Sequence, residues 1–554
     1  MNESHTADAV NSREEWRPAA NPWLITFSVM LATFMEVLDT TIVTVAVPHI
    51  AGSLSSSNEE ATWVLTSYLV SNAIVLPASG WFAAYFGRRR FLIACIVIFT
   101  LTSIISGAAV SLEMLVIARV FQGAGGGALQ PVSQAILLES FPPEKRGMAM
   151  AAFAVGVVVA PIAGPTLGGW LTDNYSWRWA FYINVPVGIL AILMIRAFVE
   201  DPPYIRDARP GTIDWAGFGL MAVALGTLQI MLDKGQQDDW FAAAWIRWFA
   251  FASATSIIVF VLWELRRREP IVNLRVFRDR NFAVGTLLFT LVGLALYSAI
   301  TLIPLYLQTL MGYPALQSGL AVAPRGVGAL LAMPLVGYLT TRVDFRKLIG
   351  FGFFLVAISL WLISDLTLET SAWDIGWPSV LTGVGLSMLF VPLATVSMGT
   401  LSQKEIGNAS GVFNLMRNIG GSVGVSLLTT FLTRRAQTNQ AILASHLTPL
   451  DPDYQHQFRE LQNYLGTIMN PAEVYRHAER LIYESLLRQS QLLAFVQSFR
   501  LLAVTALLCI VFAMLLKKVR PRGRICPAKS NAFSRIQSGS ANLTSVPLLR
   551  GCRT

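Results

Sequence analysis

Apolar residues run through this chain in blocks of about twenty, separated by short polar loops, with little of the alternation that marks strands or amphipathic surface helices. A helix needs about 20 mostly apolar residues to cross a bilayer. The pattern predicts fourteen such spans, near 23–50, 61–84, 91–110, 113–139, 147–171, 179–199, 212–232, 242–263, 282–311, 317–340, 347–364, 374–400, 407–433 and 494–516. The expected class is therefore an all-α integral membrane protein.

The loops divide by charge. Those after even-numbered spans carry Arg88, Arg89, Arg90, Lys145, Arg146, Arg196, Arg206, Arg209, the block from Arg266 to Arg280, Arg342, Arg346, Lys347 and Lys404. Loops after odd-numbered spans, up to the eleventh, hold Arg178 and Lys234 beside Glu59, Glu60, Asp238, Asp239 and Asp374. Positive loops stay in the cytoplasm, so both termini are expected there. The pattern also repeats. Pro77, Gly80, Arg89 and Arg90 recur as Pro334, Gly337, Arg346 and Lys347, all at an offset of 257 residues. An offset of eight spans preserves orientation, as expected of a parallel repeat. The expected organisation is a cytoplasmic tail (1–22), a six-helix lobe (23–203), two inserted helices (212–263), a second six-helix lobe (282–516) and a basic tail (517–554). Residues 434–493 form a polar external extension, either a docking element for a partner or a solvated extension with no binding role.

Composition narrows the function. Of 554 residues, 54% are hydrophobic and 14% charged, against roughly 25% charged in soluble domains. A soluble enzyme with one anchor is excluded. The net charge of +9 lies in the loops and does not point to nucleic acid. The first 22 residues are polar and the run after them is too long for a cleavable signal. Four cysteines and five histidines at 5, 49, 446, 456 and 477 form no disulfide, metal or catalytic pattern, so no cofactor is expected. A membrane-embedded enzyme would need such a constellation. A signalling receptor would need a longer effector domain than the 38-residue tail.

Ionisable groups inside the bilayer cost several kcal/mol and are functional candidates. Glu36 and Asp39 share one face of the first span at i and i+3. Asp39 lies nine residues from Pro48, roughly 13 Å deep, and Arg119 roughly 9 Å from the same surface. An acid whose proton affinity depends on a nearby Arg suits proton coupling; a permanent ion pair holding the lobe together is the competing reading. The run from Gln122 to Gly127 lacks the ending of a phosphate loop, and its glycines are expected to pack helices closely. Gly164, Pro165, Gly168 and Gly169 suit close packing and a bend. Asn414, Arg417 and Asn418 lie near mid-depth in the second lobe, where no acid is at comparable depth. Trp63, Tyr68, Gln122, Tyr297, Phe413, Asn414, Met416 and Arg417 are candidates to line a substrate cavity.

These motifs resemble the major facilitator superfamily, in particular its fourteen-helix drug:proton antiporter branch, the EmrB/QacA group, over Trp23 to about Leu516. The run Leu38 to Val43 matches the first-helix pattern. Gly80, Gly87, Arg88, Arg89 and Arg90 match the cytoplasmic gating motif; Arg119, Gln122 and Gly123 match the motif tied to proton coupling; Gly164, Pro165, Gly168 and Gly169 match the antiporter signature. Runs such as Phe181-Tyr182-Ile183-Asn184-Val185-Pro186 resemble the EmrB type. The resemblance implies a major facilitator fold in the inner membrane and proton-driven export of amphipathic drugs by alternating access. It also implies a tripartite pump with a periplasmic adaptor of the EmrA kind and an outer-membrane channel of the TolC kind. A carrier of the same fold dedicated to one metabolite or siderophore, without an adaptor, is the alternative. The chain departs from the family at Ala84, where the gating motif usually has an Asp that latches the lobes, at Thr44, and at Glu36.

Overall fold

The computed structural model describes residues 18–142, 145–202, 205, 214–267, 270–340, 342–448 and 451–517. Most of the expected N-terminal tail, Arg206, Arg209 and nearly all of the basic tail lie outside the described residues. Within them the protein is helical, with no strand.

The first lobe comprises α1 (Pro22–Ser53), α2 (Trp63–Phe86), α3 (Arg88–Gly107), α4 (Leu112–Gly126), α5 (Leu129–Ser140), α6 (Arg146–Asn174) and α7 (Asn184–Phe198). Two helices follow, α8 (Trp215–Lys234) and α9 (Ala244–Arg266). The second lobe is built from α10 (Arg280–Thr309), α11 (Ala315–Val322), α12 (Pro324–Leu339), α13 (Phe345–Ile363), α14 (Ala372–Met398), α15 (Gln403–His446), α16 (Pro452–Gly466) and α17 (Pro471–Ala513). Long helices keep internal prolines, among them Pro48, Pro77, Pro165, Pro304, Pro334 and Pro392. Packed neighbours in a bundle can tolerate the backbone groups that such prolines free.

Twelve helical segments among the described residues are long and apolar enough to cross a membrane, so the fourteen expected from the pattern are not all matched by that measure. The two expected spans that fall short have physical reasons. The fourth is divided into α4 and α5 at Gly127 and Ala128, where the chain loosens without leaving helical dihedrals. The thirteenth lies in α15, whose inner turns carry Asn408, Ser410, Asn414, Arg417 and Asn418. Both carry buried polar groups, as α1, α2, α7 and α12 also do. The expected polar extension is likewise no separate loop. α15 has 44 residues and α17 has 43, running unbroken from the bundle into the extension. Residues 434–446 alone project about 20 Å. α16 packs on α17 through Leu465, Val474 and Ala478, with Phe458, Leu461 and Met469 around them.

The repeat is visible in packing. A Cβ on Gly80 of α2 would lie 2.6 Å from the Gly407 carbonyl of α15. Its counterpart Gly337 of α12 faces α6, where a Cβ would lie 3.3 Å from Met148 Cα. Each lobe's second span thus lies on the other lobe's fifth span through the repeated glycine, near the end of the bundle that carries Arg88 to Arg90 (the basic end).

Candidate functional site

Asp39 is fully buried on α1. Its Oδ2 accepts from Arg119 Nη1 at 2.6 Å, while Oδ1 accepts from Gln122 Nε2 at 2.9 Å and Asn184 Nδ2 at 2.7 Å. Arg119 and Gln122 sit at i and i+3 on α4, so one face of that helix delivers both donors. Arg119 also donates to Gln122 Oε1 and to the Val64 carbonyl, and its guanidinium lies 4.1 Å from the Tyr68 ring centroid. Asn184 is held by Ser103, which in turn donates to the Phe181 carbonyl. The cluster ties α1, α2, α3, α4 and α7 together. A buried ion pair repays its desolvation only when further hydrogen bonds satisfy the remaining lone pairs, and here both carboxylate oxygens are satisfied.

The glycines around the cluster permit this approach. A Cβ on Gly123 would run into the Tyr68 carbonyl, and one on Gly126 would lie 2.6 Å from the Tyr68 hydroxyl. Gly164 and Gly168 of α6 play the same part against Thr41 and Ile42 of α1. Pro165 and Gly169 face the other way: Pro165 packs toward Gly319, and a Cβ on Gly169 would lie 3.9 Å from Leu316 N, both in α11 of the second lobe. The four-residue signature therefore spans an intralobe and an interlobe contact.

Glu36, one turn from Asp39, accepts from Asn72 Nδ2 at 3.2 Å and leaves Oε2 buried without a hydrogen-bond partner. It lies within electrostatic reach of Arg417, on α15 of the other lobe. Arg417 donates to Gln130 Oε1 of α5 at 2.8 Å and to Asn418, with the rings of Phe289 and Phe390 about it. One turn further toward the basic end, Asn414 and Ser410 both donate to Gln134 Oε1, at 2.7 and 3.0 Å. Gln130 and Gln134 on α5 thus meet polar groups on successive turns of α15 across the lobe interface. Beside them lies a cavity of about 10 Å³ bordered by Gln130, Gln134, Met150, Phe153 and Phe390, about the room of one water molecule.

The remaining expected residues are placed as follows. Tyr68 and Gln122 belong to the Asp39 cluster and are buried. Phe413 is fully buried and stacked on Phe289 at 4.0 Å, which makes it second-lobe core. Tyr297 packs against Gly421 of α15, and Met416 is half-buried beside the second-lobe core. Trp63 is partly exposed and carries Lys234 of α8 over its ring at 5.5 Å. In the gating loop, Gly87 has φ +84°, the left-handed conformation that favours glycine. Arg88 is buried in an ion pair with Glu139 of α5. The Arg89 amide donates to Asp201 at 2.9 Å, and its guanidinium reaches the Arg196 carbonyl. These partners lie in the same lobe, so with Ala84 in place of an acid the lobes meet here through the Gly80–Gly407 approach.

Asn72, Ser103, Gln130, Gln134 and Asn184 were not expected from the sequence. Each is uncharged and sits inside an apolar run, so a search for intramembrane charge passes over it. The available signal was spacing: Gln130 and Gln134 stand at i and i+4 on one face of α5, as Ser410 and Asn414 do on α15.

A model of the Major Facilitator Superfamily matches residues 29–425. The multidrug export protein EmrB of Haemophilus influenzae is 39% identical over 442 residues, covering 80% of this chain and 86% of that protein. The fatty acid resistance protein FarB of Neisseria gonorrhoeae is 38% identical over 431 residues, covering 78% and 84%. The crystal structure of the human organic anion transporter MFSD10 shares the fold at a TM-score of 0.58 and 13% identity, covering 89% of this chain and 99% of that one. With two lobes joined through a repeated glycine, a polar seam between them and a family match across most of its length, this multi-pass membrane chain belongs to the major facilitator superfamily.

Proposed function

We propose that this protein is a proton-coupled antiporter that exports amphipathic drugs or other toxic hydrophobic compounds across the bacterial inner membrane by alternating access. Export is supported by the likeness to EmrB multidrug export proteins and to a fatty acid resistance protein. Proton coupling rests on one observation: a sealed Asp39–Arg119 pair with both carboxylate oxygens engaged by three side chains from two other helices. Such a cluster stabilises the ionised acid only while the helices keep this register. Rocking that withdraws Arg119 or Asn184 leaves a buried carboxylate that must take up a proton or meet water. Glu36 transmits that state to the second lobe, because its charge faces Arg417 across the seam.

With the basic end in the cytoplasm, as the positive-inside rule requires, the glycine contacts and the Gln130–Arg417 and Gln134–Asn414 bonds close the cytoplasmic half. Substrate would leave toward the opposite end. There α15, α16 and α17 project from the membrane and expose Ile442, Tyr464, Ile468 and Tyr475. That is a suitable contact for a periplasmic adaptor joined to an outer-membrane channel. Removing the tip of this projection should abolish co-purification of the adaptor while leaving vesicle transport intact.

The test of coupling uses everted vesicles energised by a proton gradient and loaded with a fluorescent amphipathic cation. Asp39→Asn protein should lose gradient-driven accumulation but still exchange substrate down its own gradient. Undiminished uphill transport by that variant would remove the coupling role of Asp39.

A further inference from the structure

On the outer side of the second lobe, a groove of about 470 Å³ lies between α13 and α17. α13 packs on α14 and α17, both of the second lobe, so the groove is remote from the seam that carries the transport site. Its walls change character with depth. At the basic end Arg346 and Lys347 stand in the first turn of α13. Below them Gly350, Phe351 and Phe354 continue along α13 and face Ile510 and Met514 of α17. From Lys347 to Phe354 the groove descends about 10 Å, the distance from headgroup level into acyl chains.

The two cations are uncommitted. Among the described residues neither forms an ion pair or a side-chain hydrogen bond, and Arg346 Nε is sealed without a partner. The neighbouring acid, Asp344, is occupied in capping the helix, accepting from the Arg346 amide at 3.1 Å. An isolated cation at the membrane surface is commonplace, but two at the mouth of an apolar trough form an amphipathic complement. The floor is also left open: a Cβ on Gly350 would meet only Ile510, at 3.7 Å, so a larger side chain there would occupy the groove.

We infer that this groove is a binding site for an anionic glycerophospholipid, with its phosphodiester between Arg346 and Lys347 and one acyl chain lying along Phe351, Phe354 and Met514. A free phosphate would satisfy the mouth and leave the trough unfilled; a zwitterionic lipid would fill the trough and bring its own cation against Arg346 and Lys347. Juxtamembrane Lys and Arg side chains attract anionic headgroups, each contributing about fivefold in affinity. The bound lipid would bridge α13 and α17 at the cytoplasmic interface. The inference depends on membrane insertion and not on the proton-coupling proposal.

The full chain, purified in a neutral detergent, would be titrated with phosphatidylglycerol, phosphatidylcholine or inorganic phosphate, reading lipid adducts by native mass spectrometry and thermal unfolding in parallel. Phosphatidylglycerol should be retained about tenfold or more tightly than phosphatidylcholine and should raise the unfolding temperature. Arg346→Gln/Lys347→Gln should remove that preference. Gly350→Phe, which leaves both charges in place and fills the trough, should lower retention of both lipids at this site while unfolding at the temperature of the lipid-free parent. Equal retention of the two lipids, stabilisation by phosphate alone, or undiminished phosphatidylglycerol binding by both variants would overturn the assignment.

Discussion

The two lobes are related by a repeat, yet they treat buried charge differently. In the first lobe both buried cations meet a buried carboxylate of the same lobe, Arg119 with Asp39 and Arg88 with Glu139. Glu36 is left as an acid in excess. The second lobe buries Arg325 and Arg417 as deeply, and among its described residues no buried carboxylate accompanies them. Arg417 turns instead to Gln130 of the first lobe. Arg325, in the first turn of α12, has Nε and Nη2 sealed and unpartnered. Buried cations thus meet carboxylates within the first lobe, while Arg417 of the second lobe finds its bonding partner across the interface. Separating the lobes would therefore break the Arg417–Gln130 bond, whereas both first-lobe ion pairs have their partners within one lobe.

That contrast can be broken or sharpened by substitution. The largest effect is expected at Asp39, where Asn leaves Arg119 buried without its counter-charge. Accumulation should fall to the background of vesicles lacking the protein, with unfolding destabilised by about 3–5 kcal/mol. Next, Arg88→Leu alone should destabilise by a similar amount, about 3–5 kcal/mol, because Glu139 is stranded, whereas Arg88→Leu/Glu139→Leu should recover most of it; a double-mutant cycle on detergent unfolding measures the difference.

Gly80→Leu comes third. It should raise the energy of the closed basic end by about 1–3 kcal/mol through overpacking against Gly407. Spin labels at Arg90 and Arg342 should then report a shift toward longer distances. Gly337→Leu should shift them less, because its neighbours stand further off. The smallest effect on stability is expected from Arg325→Met, within about 1 kcal/mol of the parent or on the stabilising side, since an unpaired buried cation contributes nothing that packing cannot replace. A loss comparable to that of Arg88→Leu would show that the second lobe neutralises Arg325 after all.

The inserted helices add a second asymmetry. At the end opposite the basic loops, α8 bridges the lobes. Its Asp233 accepts from Thr66 of α2, its Gln229 accepts from Ser422 of α15 at 3.0 Å, and beyond it Trp240 donates to Thr430 at 2.9 Å. Composition marked α8 only as another apolar span, because a hydropathy average does not register one amide and one acid, Gln229 and Asp233, placed a turn apart.

Much of the architecture was legible without coordinates. Spans, their alternation with basic loops and the offset of 257 residues between Gly80 and Gly337 follow from the cost of burying charge and backbone in lipid, which acts on each segment alone. The candidacy of Asp39 and Arg119 follows from the same cost. Tertiary structure alone decided which neutral side chains complete their cluster, that Arg88 finds Glu139 within its own lobe, that Phe413 stacks in the core, and that the expected extension continues two membrane helices. Those outcomes depend on where a helix face points after packing. An amide such as Asn184 or Gln130 costs little enough in an apolar run to escape notice, and its role exists only once a partner from a distant helix arrives.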